Sequence, residues 1–109
     1  MKLSVVSAAF IAAVCAAGPA LAADADAGKK IAAGTCAVCH GIDGLAKNPD
    51  APHLAGETAA YLVKQLKAFK SGERKHEQMS IIAEGLNDED MANAAEWYSK
   101  IKIRAEMPK

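Results

Sequence analysis

Aromatic side chains are scarce in this sequence: one Trp, two Tyr and two Phe make up 5% of 109 residues. One of the five, Phe10, lies in an apolar N-terminal run. Excess charge of either sign is also missing, with 13 Lys/Arg against 13 Asp/Glu. A balanced chain has no surplus of cations to hold nucleic acid phosphates. The low-hydrophobicity, high-charge profile of a disordered chain is absent too. Alternating strand patterns, internal repeats and low-complexity tracts do not occur after the first 22 residues. What remains from Ala23 onward is 87 residues of ordinary soluble composition, slightly acidic. So short a chain with so few rings has a thin core and calls for a covalent or cofactor staple.

The first 22 residues hold 17 apolar side chains and one charge, Lys2. Lys2, the unbroken small and apolar stretch from Leu3 to Ala17, the helix-breaking Gly18-Pro19 and the small residues Ala20-Leu21-Ala22 have the form of an export signal. The stretch is too short to cross ~30 Å of hydrocarbon comfortably. Cleavage is expected after Ala22, with Ala23 as the other position. The expected division is a removed signal at 1–22 and one domain at 23–109, exported and without a membrane span once the signal is gone. Cys15 leaves with the signal, so the mature chain keeps Cys36 and Cys39.

The mature chain reads as helices. The first is expected over Ala25–Ala33, capped by Asp24 or Asp26 and stopped by Gly34. Pro49, Pro52 and Gly56 mark a loop. Leu62, Leu66 and Phe69 repeat at helical spacing over Thr58–Lys70, closed by Gly72. Ser80–Glu84 forms a turn or two before Gly85. Asn87, with Asp90 three residues on, caps a last helix whose buried face is Met91, Ala94, Ala95, Tyr98 and Ile101.

The staple is indicated by Cys36-Ala37-Val38-Cys39-His40. C-x-x-C-H is the attachment sequence for c-type haem. Residues three apart share one side of a helical turn, so both thiols can add to the two vinyl groups on one porphyrin edge. The adjacent histidine is then held beneath the iron as an axial ligand. A thioredoxin-like pair wants a strand before it and a βαβ setting. A structural zinc site wants about four ligands, and no second cysteine pair completes one. A disulfide between residues three apart would constrain almost nothing.

The other axial ligand comes from His53, His76, Met79, Met91 or Met107. Met91 falls on the apolar face of the last helix and Met107 in a tail. Met79 follows an irregular segment and precedes a short helix, a place from which it can reach the opposite haem face. Met79 is the expected ligand, and His76 the rival, since bis-histidine haems exist; solvated between Lys75 and Glu77, His76 has a plain surface reading as well.

In combination, Gly28-Lys29-Lys30-Ile31, Cys36-Ala37-Val38-Cys39-His40-Gly41, Pro52-His53-Leu54-Ala55-Gly56, Met79 and Leu86-Asn87-Asp88-Glu89-Asp90 resemble the class I c-type cytochromes. The likeness is to the small monohaem periplasmic cytochromes of bacteria and to one half of the dihaem ones; Tyr61–Lys70 shares it. The resemblance implies an all-α fold of three to five short helices around one covalently attached haem c. It implies thioethers at Cys36 and Cys39, His40 and Met79 as axial ligands, the Pro52 carbonyl accepting from His40, and Leu54 packed on the haem. It implies that Gly28 lets the first helix cross the last closely, with Ile31 and Trp97 or Tyr98 at the contact. The family often places an aromatic residue in the first helix there, where this chain has Ile31-Ala32.

The expected function is a periplasmic one-electron carrier between redox proteins, not an enzyme, either a monomer or a subunit of a redox complex. The alternative is a haem c subunit stably bound to a dehydrogenase or oxidase. Lys64, Lys67 and Lys70, with Arg74 and Lys75, form a cationic run that could steer an acidic redox partner or serve as a solvated helix face.

Overall fold

The computed structural model describes residue 13 and residues 22–109. The expected export signal, Cys15 included, lies almost wholly outside the described residues. Every element among the described residues is helical: α1 (Ala25–Ile31), α2 (Ala37–His40), α3 (Ala59–Ser71), α4 (Met79–Glu84) and α5 (Asp88–Lys100).

Asp24 starts α1 by accepting from the backbone N–H groups of Asp26 at 2.8 Å and Ala27 at 3.2 Å. Gly34 does not stop the helix, contrary to the sequence expectation. The chain widens into a π turn over Ala32–Cys36, closed by Ala37 N–H to the Ala32 carbonyl, and runs on into α2. A glycine inside a helix costs only about 1 kcal/mol, and the wider turn keeps the backbone groups paired. The stop comes at Gly41, whose φ of 75° suits glycine. A π turn is uncommon overall but frequent at functional sites; here it carries Cys36.

Thr58 caps α3 through Tyr61 N–H at 3.2 Å, and Gly72 closes it in the left-handed region. Asn87 and Asp90 form a full capping box on α5. The last helix crosses the first at Gly28. A Cβ there would lie 1.8 Å from the Asn93 carbonyl oxygen and 3.1 Å from Trp97 Cβ. Buried Asn93 also ties the start of α1 to α5, its Oδ1 accepting from Asp24 N–H at 2.8 Å. Ala32 rather than Ile31 belongs to the cluster of Tyr98, which Trp97 borders; Ile31 borders the cluster of Phe69, Ala83, Leu86 and Met91.

Two small clusters make the core. Ala32, Leu62, Ala95 and Tyr98 form one, bordered by Cys36, Leu54, Val63 and Trp97. Phe69, Ala83, Leu86 and Met91 form the other, bordered by Leu66 and Met79. Cys36 thus sits at the edge of one cluster and Met79 at the edge of the other.

Two aromatic side chains of α5 hold the turn after α2. Tyr98 Oη donates to the Gly41 carbonyl at 2.9 Å, and Trp97 Nε1 donates to the Ile42 carbonyl at 2.9 Å. Tyr98→Phe leaves the buried Gly41 carbonyl without this donor and should cost about 1–2 kcal/mol at neutral pH. Burial pushes the Tyr98 phenol above its ordinary value of 10.0. The folded chain therefore keeps a proton that the unfolded chain releases near that pH. The native protein's stability is intact below pH 10.0 and falls above it. The phenylalanine variant lacks that fall, so the gap between the two urea midpoints should narrow as pH rises past 10.0.

Candidate functional site

Cys36 ends the π turn, and Cys39 and His40 lie on α2, one turn further. Both cysteines are half-buried and unbridged. Burial pushes the Cys36 thiol up to about 11. A reactive or metal-binding cysteine works as the thiolate, which an electropositive setting favours. The Cys36 environment favours neutral sulfur instead, and a thioether is neutral sulfur. Among the described residues no group of three or more His, Cys, Asp or Glu is placed to hold a metal ion, which removes the structural zinc reading there.

The chain's three histidines differ in which ring nitrogen is committed. His40 is buried, and its Nδ1 lies 2.9 Å from the Pro52 carbonyl oxygen. A carbonyl only accepts, so Nδ1 carries the proton and Nε2 presents a lone pair. His53 Nδ1 accepts from Ala46 N–H at 2.8 Å. His76 Nδ1 accepts from the N–H groups of Gln78 and Met79, both at 3.2 Å. In these two the proton is on Nε2 and the outward nitrogen has no lone pair to offer. Only His40 has the tautomer of an imidazole that binds iron through Nε2 while its other nitrogen is fixed by a carbonyl.

The segment that supplies Pro52 is held against α2 by the backbone. Lys47 N–H and Asn48 N–H both donate to the Cys39 carbonyl, at 2.8 and 3.1 Å. Leu54 N–H and Ala55 N–H donate to the Gly44 carbonyl, at 2.8 and 3.1 Å. The turn after His40 is stiffened by Asp43, which accepts from Leu45 N–H at 3.0 Å. That bond, aided by nearby Lys47, holds the Asp43 carboxyl below its usual range. Leu54 is half-buried beside the Ala32–Tyr98 cluster.

Of the methionines after the motif, Met91 is fully buried in α5 and Met107 is 87% exposed. Met79 opens α4, half-buried. The fit to a c-type haem is therefore good at every donor: two unbridged sulfurs, one free Nε2 and one half-buried thioether. Sequence reasoning left out three features of this site. The Trp97 and Tyr98 bonds to the α2–loop turn carried no motif. The backbone bonds of His76 carried no motif either, and the helix they open begins at Met79, one residue before the expected Ser80.

The cationic run is partly engaged within the chain. Lys67 pairs with Asp88 at 3.9 Å, and Lys70 Nζ donates to the Leu86 carbonyl. Arg74 bonds Gln65 Oε1 at 2.8 Å and lies 4.5 Å from the Phe69 ring centre. No described helix is long and apolar enough to cross a membrane.

Comparison with known proteins agrees with this geometry. Residues 25–102 match the family model described as Cytochrome c. The chain is 46% identical over 82 residues to cytochrome c-554(548) of Halomonas halodenitrificans, across 72% of this chain and 96% of that protein. It is 38% identical over 86 residues to cytochrome c4 of Pseudomonas aeruginosa, across 79% of this chain and 42% of the relative. The crystal structure of reduced recombinant cytochrome c4 from Pseudomonas stutzeri superposes with a TM-score of 0.67 at 37% identity, covering 74% of this chain and 47% of that one. The chain thus spans nearly all of the Halomonas protein and less than half of the c4 proteins.

Proposed function

The chain belongs to the cytochrome c family as a small class I c-type cytochrome, and from that premise we propose that it is an exported one-electron carrier with His40 and Met79 as axial ligands. The family's cofactor is haem c, covalently attached, and its members named above are electron carriers. Haem c supplies the one-electron couple of its iron.

The chain's own residues do the rest. Cys36 and Cys39 would hold the group through their sulfurs. Pro52 keeps the His40 proton on Nδ1 and aims Nε2, which fixes the ring and raises its donor strength. Met79 would contribute a soft sulfur, a ligand that favours ferrous iron and a higher potential. Held between His40 and Met79, the iron would be closed to oxygen and peroxide, which suits electron transfer rather than catalysis on a substrate. The two packed clusters, and the α2 turn pinned by Trp97 and Tyr98, limit rearrangement between oxidation states. The role is periplasmic, between redox proteins, with residues 1–22 removed on export.

The observation that carries this reading is the His40 Nδ1–Pro52 bond beside two unbridged cysteines. A reduced-minus-oxidised absorption spectrum tests it. The expected result is a six-coordinate c-type spectrum with the weak far-red band of methionine–iron bonding in the oxidised protein. A five-coordinate or bis-histidine spectrum would contradict it. N-terminal sequencing of the mature protein should begin after Ala22 or Ala23.

A further inference from the structure

We infer that His76 is the positioning residue for the Met79 sulfur, acting through the backbone rather than through the iron. The inference rests on the proposed ligation by Met79. α4 is six residues long, and Gln78 offers no side-chain cap. A helix so short cannot hold its own first turn, and its leading N–H groups need outside acceptors. His76 supplies one. Its Nδ1 takes the N–H groups of Gln78 and Met79, two and three residues on, which is the service an Asn or Asp gives in the same place.

The ring is itself held. Its centre lies 6.4 Å from that of Phe69 in an edge-on arrangement, and Phe69 belongs to the cluster against which Met79 packs. The main chain closes the bracket in both directions. His76 N–H donates to Ser80 Oγ at 3.1 Å, and Ser80 N–H donates to the His76 carbonyl at 3.0 Å. Residues 76–80 therefore form one stapled turn with Met79 inside it. Removing the acceptor frees the two N–H groups that fix where the Met79 Cα stands, while the two core clusters remain.

The test uses haem-loaded protein carrying H76F, which keeps an aromatic ring beside Phe69 but accepts nothing, and H76N, which accepts but has no ring. The readouts are the thermal loss of the far-red methionine–iron band and, separately, the loss of helicity by circular dichroism. In the native protein the two losses should fall together. In H76F the band should be lost about 10 °C below the helicity, the shift expected for two missing backbone bonds in a domain this small. Backbone exchange at Met79 N–H should quicken with it. H76N should return the band midpoint to near the native value. Equal midpoints in all three proteins, or equal loss in H76F and H76N, would overturn the inference. A native protein without the far-red band would overturn the Met79 ligation itself, an outcome visible before any variant is made.

Discussion

Replacing Met79 by alanine should abolish the far-red band and open the ferrous iron to carbon monoxide at neutral pH. The potential should fall by an amount on the order of 100 mV, since axial ligands tune haem potentials over a range of about 0.8 V. The loss is specific because the other methionines after the motif are placed elsewhere. Met91 is fully buried between Phe69, Ala83 and Leu86, and Met107 lies in the exposed tail. His76 and His53 have their Nδ1 atoms committed to backbone donors. Met79→Leu is the packing control: it keeps the apolar contact with the second cluster and removes only the donor, so it should lose the band and bind carbon monoxide as the alanine variant does, with less loss of stability. A Met79→Ala protein that kept the band and excluded carbon monoxide would assign the sulfur elsewhere.

Gly28→Val should be the most damaging change outside the haem motif. A Cβ at this position would stand 1.8 Å from the Asn93 carbonyl oxygen, a backbone atom that cannot swing aside. Relief requires α1 and α5 to separate. Separation breaks the Asp24 N–H to Asn93 bond and draws Lys29 away from the Trp97 face, where its Nζ now lies 5.3 Å from the ring centre. Overpacking of this kind costs about 3 kcal/mol or more. Gly34 is the contrast. Apart from its chain neighbours and its own helix backbone, no atom lies within 4 Å of a Cβ built there, and its φ is not positive. Gly34→Ala should leave stability unchanged or raise it by up to about 1 kcal/mol. Urea titration of the two variants, both haem-loaded, separates close helix crossing from a general intolerance of change at glycine. Similar losses in both would remove the crossing argument.

The contrast between these glycines also shows what could be read in the sequence. Gly72 and the Asn87–Asp90 pair announced helix ends because they act within a few residues of chain, where local chemistry decides. Gly34 misled because a glycine is both a stop signal and a tolerated interior residue, and only the helix-to-motif continuity through the π turn chose between them. The C-x-x-C-H run was legible since two sulfurs and an imidazole have few other uses at that spacing. The hold on the motif was legible only in part: the Pro52 carbonyl came from the family resemblance, whereas Trp97 and Tyr98 donate to carbonyls 55 and 57 residues away, and a carbonyl has no sequence signature. His76 was weighed only as a ligand or a solvated residue, and the structure gives its ring to the backbone. The cationic run reads as a steering patch or a solvated helix face, and what the sequence does not show is that Lys67 and Lys70 each have a partner in the chain.

The most direct measurement is the mass of the peptide spanning Cys36 to His40, taken from protein matured in a host that assembles c-type cytochromes, then denatured, extracted with acidic organic solvent and digested. The account requires that peptide to retain one haem, with neither sulfur open to alkylation. A peptide of unmodified mass with both thiols alkylated would contradict it.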